Sequence, residues 1–405
     1  MDTKRKVPEI RFAGFTDEWT VDKIANNIRE YVEKKPANEV LPVLTSSRDG
    51  IIPQDEHFSH QQQHDITDYN VVPRGYCTYR NRSDDRKFTF NINKIVDRGI
   101  VSRFYPVFSV NQNSDTNFLI KYLNNNPHSI KDISILAVGT SQVVLSLSNL
   151  KQIDVFLPNK AEQIKIGKIF SSLDDAIYLQ QQKLTYLQSL KQSLLQKMFP
   201  QAGARVPEIR FQGFTGEWEE QSLGELATFA KGKGYTKNDL TLQGTPIILY
   251  GRLYTKYETV IKEIDTFVKK KKDTFYSKGG EVIVPASGET ADEIAVASVV
   301  KNPNVILGGD LNIIYPATKI DSTFLAISIT HGKPHSDMAN RAQGKSVVHL
   351  HNDDLAQIRL LYPTLDEQKM ISSFFNNIDG YIKTHEAKIA KLQVIKQSLL
   401  AKMFV

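Results

Sequence analysis

The sequence predicts an α+β protein: two mixed α/β domains separated by a long antiparallel two-helix coiled coil, with a pseudo-twofold internal repeat. Three observations predict it. First, Val7-Pro-Glu-Ile-Arg-Phe-Ala-Gly-Phe-Thr-Asp-Glu-Trp19 returns as Val206-Pro-Glu-Ile-Arg-Phe-Gln-Gly-Phe-Thr-Gly-Glu-Trp218, changed only at Ala13/Gln212 and Asp17/Gly216. Second, Lys191-Gln-Ser-Leu-Leu-Gln-Lys-Met-Phe199 returns as Lys396-Gln-Ser-Leu-Leu-Ala-Lys-Met-Phe404, with a single change. Third, each closing motif ends a run of apolar residues spaced three and four apart. Internal repeats decide architecture, and here two nearly unrelated interiors sit in one duplicated frame.

The opening motif recurs 199 residues on and the closing motif 205, so the second interior is longer near its start. From Gly75/Gly280 onward the offset stays near 205, and both interiors are expected to share one fold. The expected organisation is residues 1–157 as a first domain carrying motif 7–19 and 158–200 as a first helix. Residues 201–361 form a second domain carrying motif 206–218, and 362–405 a second helix. In the first domain Ile51, Tyr69–Val72, Tyr76–Tyr79, Phe88–Phe90, Val107–Val110 and Val143–Leu147 read as strands. In the second, Pro246–Tyr250, Val282–Val284, Ile294–Ala297, Leu311–Tyr315 and Val347–Leu350 are the counterparts. Phe118–Leu123 and Phe324–Ile327 read as short helices, and Gly139-Thr-Ser141 and Gly344-Lys-Ser346 as equivalent turns.

Each long helix has a start signal. Pro158 precedes Asn159-Lys-Ala-Glu162, and Pro363 precedes Thr364-Leu-Asp-Glu367, each with the spacing of a capping box. The first seam runs through Phe170, Leu173, Ile177, Leu184, Leu187, Leu194 and Met198, with Gln180 and Lys191 in the remaining slots. The second runs through Phe375, Ile378, Ile382, Ile389, Leu392, Leu399 and Met403, with His385 and Lys396 as polar members. Helices of about 40 residues reach about 60 Å at ~1.5 Å per residue. Neither can bury such a seam alone. Pairing within the chain accounts for two seams that match slot for slot, while separate hairpins or a dimerisation coil are the alternatives.

A chain of 405 residues accommodates several cores. A composition of 40% hydrophobic and 24% charged residues is that of an ordinary globular protein, and a net charge of +6 permits a nucleic-acid partner without demanding one. The single cysteine, Cys77, leaves no internal disulfide and fits a reducing cytoplasm; within Gly75-Tyr-Cys-Thr-Tyr79 it reads as a small buried hydrophobe. The start leads into no apolar run, so no signal peptide is expected. No stretch nears the roughly 20 apolar residues of a membrane helix.

Catalytic motifs are weak throughout. Ala339-Asn-Arg-Ala-Gln-Gly-Lys-Ser346 fits a loose phosphate-loop pattern, but a strand-like run follows where a helix is needed, and the equivalent turn has no lysine. Gly232-Lys-Gly234 lacks the third glycine of a dinucleotide fingerprint. No Asn-Pro-Pro-aromatic tetrad occurs, His331/His335 and His349/His351 lack cysteine support for zinc, and Glu386-Ala-Lys388 lies on the helical seam as a solvated ion pair. No catalytic or metal-binding residue is therefore expected. The stronger lead is basic and aromatic. Candidate DNA contacts in the first domain are Arg48, Tyr79, Arg80, Asn81, Arg82, Ser83 and Lys87. In the second they are Lys231, Lys233, Tyr235, Lys237, Arg252, Tyr254, Ser287, Arg341 and Lys345. Lys and Arg neutralise phosphates, and Arg, Asn and Ser reach base edges. Lys269–Lys272 form a further basic run that fits a soluble loop equally well.

The two opening and two closing motifs, in this order over the whole chain, resemble the specificity (HsdS) subunit of type I restriction–modification systems. Pro158 through Gln163 with Ile169-Phe-Ser-Ser-Leu-Asp174, and Pro363 through Gln368 with Phe374-Phe-Asn-Asn-Ile-Asp379, look like the family's two conserved regions. The resemblance implies two target-recognition domains, each reading one half of a split, asymmetric site in double-stranded DNA. It also implies two methyltransferase and two restriction subunits as partners. S-adenosylmethionine, ATP and Mg2+ would belong to those partners, with no cofactor in this chain, no membrane and a cytoplasmic location. Half-sites on one side of B-DNA lie about 34 Å apart, a gap that a stiff helical pair would set. A coiled-coil adaptor or a decoy specificity protein is the alternative; the adaptor predicts no salt-dependent DNA binding.

Overall fold

The computed structural model describes residues 7–48, 50–57, 65–342, 344 and 347–405. The chain forms two compact units, Met1–Gln181 with Ala387–Val405, and Gln182–Glu386. Each long helix, Lys160–Lys197 and Leu365–Met403, is continuous and belongs in part to each unit.

In the first unit, strands Ile28–Tyr31, Val107–Val110, Cys77–Tyr79 and Phe90–Ile92 form an antiparallel sheet in that order. Tyr79, Phe90 and Phe108 turn inward from it to meet Phe118 and Tyr122 of helix Thr116–Asn125 in one apolar cluster. Asp115 starts this helix by accepting the Phe118 N–H at 2.9 Å. Cys77 is fully buried, and burial pushes its thiol well above the ordinary range. In the second unit a five-stranded sheet orders Ala227–Lys231, Leu311–Pro316, Val282–Pro285, Ser298–Val300 and Val260–Ile261. A smaller sheet orders Leu240–Thr241, Phe267–Val268, Thr245–Ile248 and Ile306–Leu307. Helix Ser322–His331 packs its Phe324 into the main core, and Asp321 caps it through the Phe324 N–H at 2.9 Å.

The duplicated motifs do the same work in both units. Trp19 and Trp218 are buried, each edge-on to the first aromatic residue of its capped helix, Phe118 at 5.8 Å and Phe324 at 5.7 Å. Arg11 donates two hydrogen bonds of 2.7 Å to Glu162, and Arg210 two of 2.7 Å to Glu367. This corrects the expected capping box. Asn159 does accept the Glu162 N–H at 3.0 Å, but the Glu162 carboxylate is turned to Arg11, because a fully buried carboxylate needs a cation more than a second amide. The neighbouring glutamines fasten the capped helices: Gln163 accepts the Asp115 N–H at 3.0 Å and Gln368 the Asp321 N–H at 2.9 Å.

The closing motifs end inside the cores. Phe199 lies 5.7 Å from Phe324 and 5.9 Å from Trp218 in the second unit. Phe404 lies 5.8 Å from Phe118 and 5.6 Å from both Tyr122 and Phe170 in the first. Helix segments therefore run antiparallel within each unit. In the first, Phe170 meets Phe404 while Asp174 meets Lys396 at 2.7 Å; in the second, Phe199 meets Phe375 while Lys191 meets Asp379 at 2.5 Å. The lysines in the polar seam slots are thus half of two equivalent ion pairs. Phe170, Ile177, Met198, Phe375, Ile378 and Met403 are buried. Leu173, Leu184, Leu187, Leu194, Ile382, Ile389, Leu392 and Leu399 are half-buried, on the three-and-four spacing.

Some elements differ from expectation. Ile294–Ala297 is not a strand. The Ile294 N–H bonds Thr290 O, making a turn that seats Ile294, Ala295 and Ala297 in the core without a ladder, and the strand begins at Ser298. Phe88–Phe90 is displaced to Phe90–Ile92, and Val143–Leu147 pairs only through Val144 because Ser146 caps a helical turn at Leu147–Leu150. Helices Pro127–Leu136 and Lys333–Arg341 escape the periodicity reading; the Asn126-Pro127 cap and first-turn proline were their signal.

Two outcomes test this framework. Arg11→Met leaves the buried Glu162 carboxylate unpaired and is expected to destabilise the first unit by ~3–5 kcal/mol in urea unfolding, whereas Arg11→Met with Glu162→Leu regains most of the loss. Burial alone would raise the Asp174 carboxyl, but hydrogen bonds from Lys121 and Lys396 hold it below its ordinary range. A lowered folded-state pKa stabilises above the unfolded value near pH 4 and is lost as pH falls through the folded one. Asp174→Asn should therefore be less stable than the parent chain at about pH 5–7 and converge with it as pH falls below the ordinary carboxylate range, read by denaturant midpoints at each pH.

Candidate nucleic-acid interface

Each unit exposes a loop beside a two-rung antiparallel ladder. In the first, Arg82–Ser83 pairs with Val143–Val144, Ser83 opposite Val143. In the second, Ser287–Gly288 pairs with Val348–His349, Gly288 opposite Val348. The rungs correspond at the 205-residue offset on both strands. The turns leading in correspond as well: Gly139 has φ +138° and Gly344 φ +144°, and an added Cβ would lie 2.4 Å from Gln142 O or 1.9 Å from Val347 O. One backbone frame thus carries Arg82 and Val144 in one unit and Ser287 and His349 in the other.

The first loop is basic. The Arg82 guanidinium lies 4.2 Å from the centroid of the half-exposed Phe104 ring, which Arg103 also approaches at 5.0 Å. Arg80, Arg82 and Lys87 are exposed and Asn81 is half-buried. Arg48 pairs with Asp85 at 2.6 Å, and Asp85 also accepts from Ser83 Oγ at 2.9 Å; these bonds, Ser83 foremost, hold the Asp85 carboxyl down to about 2. Arg86 donates to Ser134 O, Ala137 O and Gly139 O, fastening the turn to the end of helix Pro127–Leu136. Tyr79 corrects an expectation. It is 0% exposed and its hydroxyl donates to Leu145 O at 3.1 Å, so it belongs to the core beneath the loop. Ser83 is likewise buried.

In the second unit, Lys231, Lys233 and Lys237 are exposed, while Tyr235 between them is buried. Gly232 allows this segment to pass close to a neighbouring backbone, since an added Cβ would lie 1.9 Å from Gly308 O. Arg252 is not a surface contact. It is 7% exposed and donates to Asp265 at 2.5 Å, Glu258 at 2.8 Å and Glu263 O at 2.9 Å, an internal brace that a charge pattern alone cannot distinguish from a phosphate contact. Tyr254 is partly exposed, and its hydroxyl donates to the carbonyl of the buried Ser287 at 2.8 Å. Arg341 is half-buried against Gln357 at 2.8 Å, and Lys345 lies outside the described residues.

The histidine pairs have ordinary surroundings. His335 bridges Asp292 and Ala295 O, both at 2.9 Å. Although His331 is exposed in part, partial desolvation and then the Lys191 charge hold it below its ordinary range. The rings of His349 and His351 lie parallel at 6.5 Å. Among the described residues, no three His, Cys, Asp or Glu side chains gather as a metal site, and no helix is long and apolar enough to cross a membrane.

A family model described as type I restriction modification DNA specificity domain matches residues 70–189 and 215–394. The chain belongs to this specificity family. The matched ranges contain both two-rung ladders and most of both long helices. A relative, the type I restriction enzyme MjaVIII specificity subunit of Methanocaldococcus jannaschii, is 20% identical over 262 residues. That alignment spans 62% of this chain and 61% of the relative's length. The solved S subunit of a type I restriction–modification system from M. genitalium shares the fold, with a TM-score of 0.65 at 14% identity over 98% of this chain and 99% of that one. The specificity-family fold is thus common to chains with little sequence identity.

Gly232→Ala should destabilise the second unit by ~1–3 kcal/mol, since the methyl group must displace backbone, and a urea-unfolding midpoint measures it.

Proposed function

We propose that this chain is the non-catalytic specificity subunit of a type I restriction–modification complex, reading a bipartite, asymmetric site in double-stranded DNA. Each unit reads one half-site. The observation that carries this reading is the pair of register-matched ladders: one frame, made twice, whose exposed side chain is Arg82 in one unit and His349 in the other. A conserved frame gives both readers the same approach to DNA, and divergent side chains give them different sequences. Family membership and a relative named as a specificity subunit support the same reading.

In this reading residues 1–157 and 201–361 are the target-recognition domains, and 158–200 and 362–405 are the helices that set the gap and recruit partners. Those partners are two methyltransferase and two restriction subunits in the cytoplasm. They supply adenine methylation and ATP-dependent cleavage, and with them S-adenosylmethionine, ATP and Mg2+. Exposed apolar residues on the outer helix faces, Tyr178, Leu179 and Tyr186 on the first and Tyr381 and Val394 on the second, suit protein docking better than solvent.

The test is co-expression with type I methyltransferase subunits and mapping of methylated adenines. A bipartite motif is expected, and exchanging residues 21–156 for those of another family member should change one half only. A contiguous motif, or one indifferent to the exchange, refutes the reading. Within the first unit, Arg82→Ala should cost ~1–3 kcal/mol of site affinity, about 5- to 150-fold, and relax a single base position of that half-site.

A further inference from the structure

Two lysine runs, far apart in sequence, are moored side by side on the second unit. Lys233 and Lys237 follow strand Ala227–Lys231, and Lys269–Lys272 follow strand Phe267–Val268. Leu240 pairs antiparallel with Val268, which sets 237–239 beside 269–271. Tyr235 fastens the two. Its ring is buried, its backbone is left-handed at φ +52°, and its hydroxyl accepts the Lys271 N–H at 2.7 Å and bonds Thr274 Oγ1 at 2.8 Å. The Lys271 ammonium lies 4.9 Å from the Tyr235 centroid and that of Lys270 5.6 Å from Tyr276. A non-glycine residue held at positive φ is strained, so the surrounding fold must impose it.

The charge balance of this surface is one-sided. Lys233, Lys237 and Lys269–Lys272 are all exposed. Their segments contain two acids, Asp239 and Asp273; Asp239 pairs with Lys271 and also accepts from Thr236, and among the described residues Asp273 has no cationic side chain within 4.0 Å. Among the described residues the other five lysines have no acidic side chain within 4.0 Å. The stretch after the corresponding strand of the first unit, Ile28–Tyr31, has two lysines, Lys34 and Lys35, and two glutamates, Glu33 and Glu39, both of which pair with Arg98. Like charges fixed within a Debye length of ~8 Å repel, and a polyanion relieves that repulsion. The cluster contains no arginine, whose planar fork reads guanine edges; lysines are point charges suited to phosphate.

We propose that this cluster is a sequence-neutral clamp for the DNA phosphate backbone, separate from the base-reading ladder, with Tyr235 as its positioning residue. The proposal rests on the DNA-reading function above. Each lysine that neutralises a phosphate releases counter-ions condensed on the DNA and adds about 0.9 to the steepness of log affinity against log salt. The clamp therefore strengthens binding to every sequence alike and acts on one half of the site only.

The test uses the complex of this chain with its methyltransferase subunits, titrated between 50 and 200 mM salt, about the range over which phosphate contacts are read. Two duplexes are used: its own methylated site and an unrelated sequence. Lys269→Ala with Lys270→Ala and Lys272→Ala should lower the salt slope by about 2–3 on both and leave the methylated motif unchanged. The corresponding triple change to arginine should keep the slope, and Tyr235→Phe, with charge unaltered, should lower it by about 1. An unchanged slope in the alanine triple, or an altered motif, overturns the clamp; an unchanged slope in Tyr235→Phe alone overturns the positioning role. Failure of the specificity reading shows separately, as the absence of a bipartite motif from the unmodified complex, while the slope on unrelated DNA still tests the clamp.

Discussion

The buried bidentate ion pair between the opening motif and the first turn of each long helix is the constraint on which the rest depends. Glu162 and Glu367 are essentially inaccessible, and each gives both oxygens to a single arginine. A carboxylate in that position cannot be left unpaired, so the segments around Arg11 and Arg210 are held to the helix starts. The adjacent glutamines then fix the capped helices of the two units, and the tryptophans fill the space beneath. Three interactions at each junction, the ion pair, the glutamine and the tryptophan, thus hold the helix start to the domain core. This explains why the motifs are repeated almost without change while the interiors have drifted apart.

Much of the framework was legible because duplication leaves two readings of each element. The heptad seam and the strands at Val107–Val110 and Leu311–Tyr315 follow from periodicity alone, and the helix starts from the prolines and the acids that follow them. The partners of the polar residues were not legible, since a sequence does not say which charge meets which. Lys191 and Lys396 read as polar interruptions of the seam until Asp379 and Asp174 are found opposite. Ile294–Ala297 shows the limit for apolar runs: four residues bound for the core look alike whether they arrive as a strand or as a turn. Most of the candidate interface was visible as charge and aromaticity, but not its allocation. Arg252 and Tyr79 have the right chemistry for nucleic acid and the wrong exposure.

Arginine and lysine are used differently here. Arg11, Arg210, Arg252 and Arg86 are engaged internally, where a planar fork can satisfy several acceptors at once. Several exposed lysines of the second unit, Lys233, Lys237, Lys269, Lys270 and Lys272, have no acidic side chain within 4.0 Å among the described residues. Arg82 is the intermediate case, held by stacking on an aromatic ring while its donors stay outward. The fold thereby separates charges that build the protein from charges that can meet a partner.

The hydrogen bond from the Ile10 amide to Lys402 O has a counterpart in the bond from Ile209 to Lys197 O, at 3.0 and 2.9 Å. In the second unit the bonded segments are joined by the peptide link through residues 199–206; in the first they come from opposite ends of the chain. The same junction is made once with a covalent connection and once without. In the first unit the side chains of Met403 and Phe404, seated in its core, therefore secure a junction whose counterpart in the second unit is secured by backbone.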